Sequence, residues 1–147
     1  NINNNNNNNN NLLGHSSGCV TLLNNCKNAK KIILLDPVKT PTFKNVDLSH
    51  LEKVLIINAE KSYKWSDRPP FVTFIPFLEI SSKDLNIDKS KIEIINFKFF
   101  GHTDIINNPY RNLMHYSGIS VGYKKRKKKY IDTYHYILSK IIYNFLL

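Results

Sequence analysis

Leu12-Leu13-Gly14-His15-Ser16-Ser17-Gly18-Cys19-Val20 is the stretch on which the fold turns. An apolar pair runs into a Gly-x-Ser-x-Gly pentapeptide. From Ser17 to about Asn28, Cys19, Val20, Leu22, Leu23 and Cys26 then recur near helical spacing, with Asn24, Asn25 and Lys27 toward the end. The spacing predicts a strand end, a sharp turn and a helix. In such a strained turn the residues two places to either side of the apex must be small, so that the backbone can pass. Gly14 and Gly18 meet that need and put Ser16 at the apex.

Upstream, residues 1–11 are asparagine with one isoleucine, a polar tract without period that has nothing to bury; it is expected to be disordered, with structure starting at Leu12-Leu13. Downstream, Ile32-Ile33-Leu34-Leu35 is a short wholly apolar run stopped by Asp36-Pro37, which predicts a strand covered on both faces. A second such run is Val54-Leu55-Ile56-Ile57, closed by Asn58, and a third extends from Ile92 to Phe100, closed by Gly101. Between the second and third lies a loop-rich stretch with Trp65, Pro69, Pro70 and Pro76. From Tyr130 to Leu147, the residues Ile131, Tyr134, Leu138, Ile141, Ile142 and Phe145 fall three and four apart on one face, a closing helix that packs on the sheet. Strands alternating with crossovers predict an α/β fold, a mostly parallel sheet with flanking helices.

The chain has 147 residues, room for one core, and 41% hydrophobic residues is ordinary for a globular domain. Its net charge is +10, but Lys124, Lys125, Arg126, Lys127, Lys128 and Lys129 supply six of those charges in one run. The basicity is therefore local. A solvated loop ahead of the closing helix is favoured over binding to nucleic acid or an anionic membrane, because aromatic residues for base stacking only flank the run, at Tyr123 and Tyr130. Two cysteines seven apart imply neither a disulfide framework nor a metal site, and no secretory signal is visible, so the expected compartment is the reducing cytoplasm. Asp132, His135 and Lys140 interrupt the most apolar segment, which an amphipathic helix explains better than a membrane span.

The chemistry gathers where strands end. Ser16, at the apex of a strand-to-helix turn, is a candidate nucleophile, and the following N–H, from Ser17, would face a developing oxyanion. A serine of this kind needs an acid and then a histidine downstream, each in a loop after a strand. His102, in Gly101-His102-Thr103-Asp104, is the candidate base, with Asp104 as local support for its loop. Asp36 follows the first buried strand directly, whereas the standard place for the acid is after the second, where Glu60 and Asp67 stand as rivals. Each residue also has a plainer role available: Asp36 before Pro37 suits a turn, and His102 could cap one. His15 reads as a wall of the turn, and His50, His115 and His135 as surface or packing residues.

Gly14-His15-Ser16-Ser17-Gly18, Leu35-Asp36-Pro37-Val38 and Phe100-Gly101-His102-Thr103-Asp104 together resemble the chlorophyllase branch of the α/β-hydrolase superfamily, over about residues 12 to 122. In that branch a Gly-His-Ser-Arg-Gly turn, an Asp-Pro-Val segment and a Gly-His-x-Asp segment recur. The resemblance implies that Ser16, Asp36 and His102 form a catalytic triad, with Asp36 rather than Glu60 or Asp67 as its acid. It also implies that residues 12–147 are the C-terminal portion of an α/β-hydrolase domain acting on small carboxylic esters with no metal or organic cofactor. Ser17 replaces the arginine of the pattern and Cys19 a following glycine, so the branch's substrate is not carried over. The upstream strands and the loop that gives a second oxyanion donor are expected before Leu12, where only asparagine stands. A non-catalytic remnant of such an enzyme is the competing expectation.

Overall fold

A computed structural model describes residues 10–63, 79–106, 110 and 128–147. In chain order the main elements are β1 (Asn10–His15), α1 (Gly18–Asn24), β2 (Ala29–Leu35), β3 (Lys53–Ala59), β4 (Ile92–Phe97) and α2 (Lys128–Leu146). The four strands form one sheet in the order β1-β2-β3-β4, and every neighbouring pair is parallel. The molecule is thus an α/β protein.

Strand order and chain order coincide, so the sheet advances in one direction. Successive right-handed crossovers in such a sheet bring their connections to one face. Accordingly Cys19, Val20, Leu22 and Leu23 of α1, Leu48 and Leu51 from the β2–β3 connection, and Ile80 and Leu85 from the β3–β4 connection share one core with Ile32, Leu34, Val54 and Ile56. The other face is covered by the chain beyond β4: Tyr134, Leu138 and Phe145 of α2 pack on Ile33, Leu35, Leu55 and Ile57, with Phe97, Phe100 and Ile105 beside them. Alternate residues of β2 and β3 therefore enter opposite cores, which is why both strands read as unbroken apolar runs.

Boundaries depart from the sequence expectation in instructive ways. β1 takes in Asn10 and Asn11, which pair with Ala29 and Lys31; backbone hydrogen bonding to a neighbour strand does not depend on the side chain. α1 stops at Asn24, four residues short of the expected Asn28. Asn25 leaves helical geometry and turns its side chain back to donate to the Thr21 carbonyl at 2.8 Å. β4 ends at Phe97, not Phe100, because Phe99 adopts φ 72° and closes a turn. The expectation that β4 is covered on both faces is also corrected: it pairs with β3 alone among the described residues, and Glu93 and Ile94 are exposed. Asp67, His115, Trp65, the three prolines of the loop-rich stretch and residues 124–127 of the basic run lie outside the described residues. Among the described residues no helix is long and apolar enough to cross a membrane.

Candidate active site

In an open parallel sheet, side chains converge at the carboxyl ends of the strands. β1 ends at His15, β2 at Leu35 and β4 at Phe97, and the segments just past them carry Ser16, Asp36 and His102.

The turn at Ser16 is built by the backbone. Its N–H continues the β1–β2 ladder by donating to the Leu35 carbonyl at 3.0 Å, while its own carbonyl accepts from Cys19 N–H at 3.1 Å. Ser16 has φ 56°, the left-handed region that an L-residue other than Asn or Asp rarely visits. That strain costs on the order of 1–3 kcal/mol and persists only where surrounding structure imposes it. Gly14 explains part of the imposition: a Cβ there would lie 3.0 Å from Cys19 Cα and 3.2 Å from Leu22 Cδ1, so its absence lets α1 rest on β1. Gly18 does not meet the expectation of a crowded second glycine. A Cβ there would meet nothing within 4 Å, because the first residue of α1 points into open space. Ser17 is exposed, and its N–H has no acceptor among the described residues.

Asp36 also has a left-handed backbone, φ 43°, and its N–H donates to the Ile57 carbonyl at 2.6 Å. Its side chain is only 2% exposed, and such a buried carboxylate has to be satisfied by donors. Oδ1 accepts from Ala59 N–H at 3.0 Å; Oδ2 accepts from Ser62 Oγ–H and from His102 Nδ1–H, both at 2.5 Å. The other nitrogen of His102, Nε2, lies 2.8 Å from Ser16 Oγ. A continuous hydrogen-bonded path thus runs from the serine hydroxyl through the imidazole to the buried carboxylate. The loop bearing His102 is fastened by Asp104, whose Oδ2 accepts from Gly101 N–H at 3.0 Å, and by α2, whose His135 donates from Nε2 to the Asp104 carbonyl at 2.8 Å.

The remaining candidates fall elsewhere. Glu60 sits after β3, but its Oε2 accepts from Phe99 N–H at 3.2 Å. The β3-end segment where an alternative acid was expected instead supplies Ser62, a donor to Asp36. Nothing in the pattern around Ser62 marks it, since a serine in a Lys-Ser-Tyr loop has no periodicity to betray it. His50 Nε2 donates to the Cys26 carbonyl at 3.0 Å and ties the β2–β3 connection to the end of α1. His15 stacks on His102, ring centroids 4.8 Å apart. Both cysteines are buried and unpaired. Burial pushes the Cys19 thiol up to about 12, which leaves it un-ionised and unsuited to nucleophilic chemistry near neutral pH. Among the described residues no three His, Cys, Asp or Glu side chains are grouped to hold a metal ion.

No family model, curated protein or solved structure matches this chain.

Proposed function

We propose that this chain carries the nucleophile, acid and base of a serine hydrolase acting on carboxylic esters, on the C-terminal portion of an α/β-hydrolase fold. The single observation that carries the reading is the path Ser16 Oγ, His102 Nε2, His102 Nδ1, Asp36 Oδ2, assembled from three separate strand-end segments. Hydrogen bonding to Asp36 sets the His102 tautomer, with the proton on Nδ1 and a lone pair on Nε2 toward the serine, the arrangement a general base requires. His102 takes the Ser16 proton as Oγ attacks the ester carbonyl carbon. Charge accumulates on the carbonyl oxygen, where the Ser17 N–H is the available donor. The imidazolium, steadied by Asp36, then protonates the departing alcohol oxygen and leaves Ser16 acylated. In the second half His102 deprotonates a water, which attacks the acyl carbon, and the proton returns to Ser16 as the acid departs. None of these steps routes through a metal or organic cofactor. The two unpaired cysteines are in keeping with a reducing, cytoplasmic setting for this activity.

A second reading is a triad in place without turnover: Leu13, in register with Ile33 on the face that α2 covers at β2 and β3, is 51% exposed. Labelling by a fluorophosphonate probe separates the two. Covalent labelling of folded wild-type protein, lost in Ser16→Ala, is the expected outcome. Folded wild-type protein that resists the probe supports the second reading instead.

A further inference from the structure

The described site contains a half-buried imidazole that the acyl-transfer steps do not use. His15 immediately precedes the candidate nucleophile, yet its contacts are with the candidate base. Its Nε2 lies 3.2 Å from the His102 carbonyl oxygen, and because a carbonyl only accepts, His15 must be the donor. Its ring stacks on the His102 ring with centroids 4.8 Å apart and planes inclined by 29°. The first contact ties the backbone that bears the base to the end of β1. The second covers one face of the base's ring.

These contacts address a weakness of the site. His102 stands on a short 3-10 turn, His102–Ile105, outside the sheet, and an imidazole there can rotate about its side-chain bonds away from Ser16. Asp36 holds only one of its nitrogens. A second plane against the ring removes rotations that the Asp36 bond alone permits, and the carbonyl tie holds the pivot in place. We infer that His15 is a positioning residue, holding the His102 imidazole in the one orientation that faces both Asp36 and Ser16.

Burial first, and the neighbouring His102 second, hold the His15 imidazole below its ordinary value, so it stays neutral beside the base. A neutral neighbour tolerates the proton that His102 must carry, whereas a charged one at that distance would oppose it.

The activity arm of the test rests on the serine-hydrolase reading; the spectroscopic arm does not. Wild type is compared with His15→Ala, with His15→Gln, which keeps a donor at a similar reach, and with His15→Phe, which keeps the ring. The low-field proton resonance of His102 Nδ1–H reports the bond to Asp36 whether or not any ester is turned over. It is expected to be sharp in wild type, broadened away by exchange in His15→Ala, and partly retained in both Gln and Phe variants. With the fluorophosphonate probe, the maximal labelling rate is expected to fall about tenfold in His15→Ala with the half-saturating probe concentration unchanged, since misorientation costs the chemical step rather than probe binding. Wild-type protein that shows the resonance but resists the probe removes the hydrolase reading and leaves the inference about His15 standing. The inference is overturned if wild type lacks the resonance, if folded His15→Ala retains it, or if neither Gln nor Phe restores any of a loss seen in Ala. A variant that only melts earlier, with resonance and labelling unmoved, also overturns it. Should His15→Ala not fold, intermediate resonances in the Gln and Phe variants support the inference, and wild-type behaviour in both defeats it.

Discussion

Ser16 holds a backbone conformation that its side chain disfavours, and the two glycines flanking it contribute unequally to keeping it there. Gly14 is enclosed: an added methyl meets the α1 backbone at Cys19, and helix backbone cannot swing aside. Gly14→Ala should therefore cost about 1–3 kcal/mol as an overpacking change. Gly18 faces open space at the start of a helix, so Gly18→Ala should be neutral or stabilising by up to about 1 kcal/mol. Thermal melts of the two variants give the comparison; a destabilised Gly18→Ala would show that the pentapeptide needs both glycines after all. At this scale the segments meeting around His102 were legible, because Ser16, Asp36 and His102 each interrupt an apolar run or stand just past one. Ser62 and the stacking of His15 were not, because neither leaves a mark on local composition.

The elements owe their stability to cross-chain ties as much as to propensity. α2 brings its apolar face to β2 and β3, and its C-terminal carbonyls find a cation on the sheet: Lys31 Nζ of β2 donates to the carbonyls of Phe145 at 3.0 Å and Leu146 at 3.2 Å. A lysine at the negative end of a helix satisfies carbonyls that have no partner within the helix. Lys31→Met keeps the apolar stem and removes both bonds. It is expected to lower stability by about 1 kcal/mol, seen as a melting temperature reduced by roughly 2–4 °C. An unchanged melt would mean that solvent serves those carbonyls as well. Lys91 plays a similar part toward the β2–β3 connection, donating to the carbonyls of Ser49 and Leu51 at 3.1 and 2.8 Å. The apolar stripe of α2 was readable from its three-and-four spacing, whereas these lysine ties join residues more than a hundred, or about forty, places apart and leave no periodic trace.

Across the molecule, both faces of the sheet are covered at β2 and β3 and less fully at the outer strands β1 and β4. Among the described residues β1 and β4 each pair on one side only, and Leu13 and Ile94 on them are 51% and 45% exposed. Open strand edges with apolar side chains recruit other chains. Self-association of the protein is expected, and Leu13→Lys, a charge placed on β1, should shift sedimentation velocity profiles toward the monomer. Profiles identical to wild type would show that β1 is not the surface through which copies meet.

Taken alone, the order of residues determined what is local: where apolar runs start and stop, that the runs at Ile32–Leu35 and Val54–Ile57 lie between two covered faces, that a sharp turn centres on Ser16, and that the last segment is an amphipathic helix. Hydrophobic period and chain-breaking residues act within a few positions, so they can be read without coordinates. Only the tertiary structure decided which carboxylate reaches His102. Strand-end position alone left Asp36, Glu60 and Asp67 as candidates, with the segment after β3 the standard place for an acid, and only the resemblance pointed to Asp36; strand order placed Asp36 against the imidazole and turned Glu60 to the Phe99 backbone. It also decided that β4 pairs on one side only among the described residues, that Ser62 donates to Asp36 and that His15 lies on His102. Pairing between distant strands depends on which chain segments become neighbours in space, and that information is carried by the sheet as a whole rather than by any stretch of it.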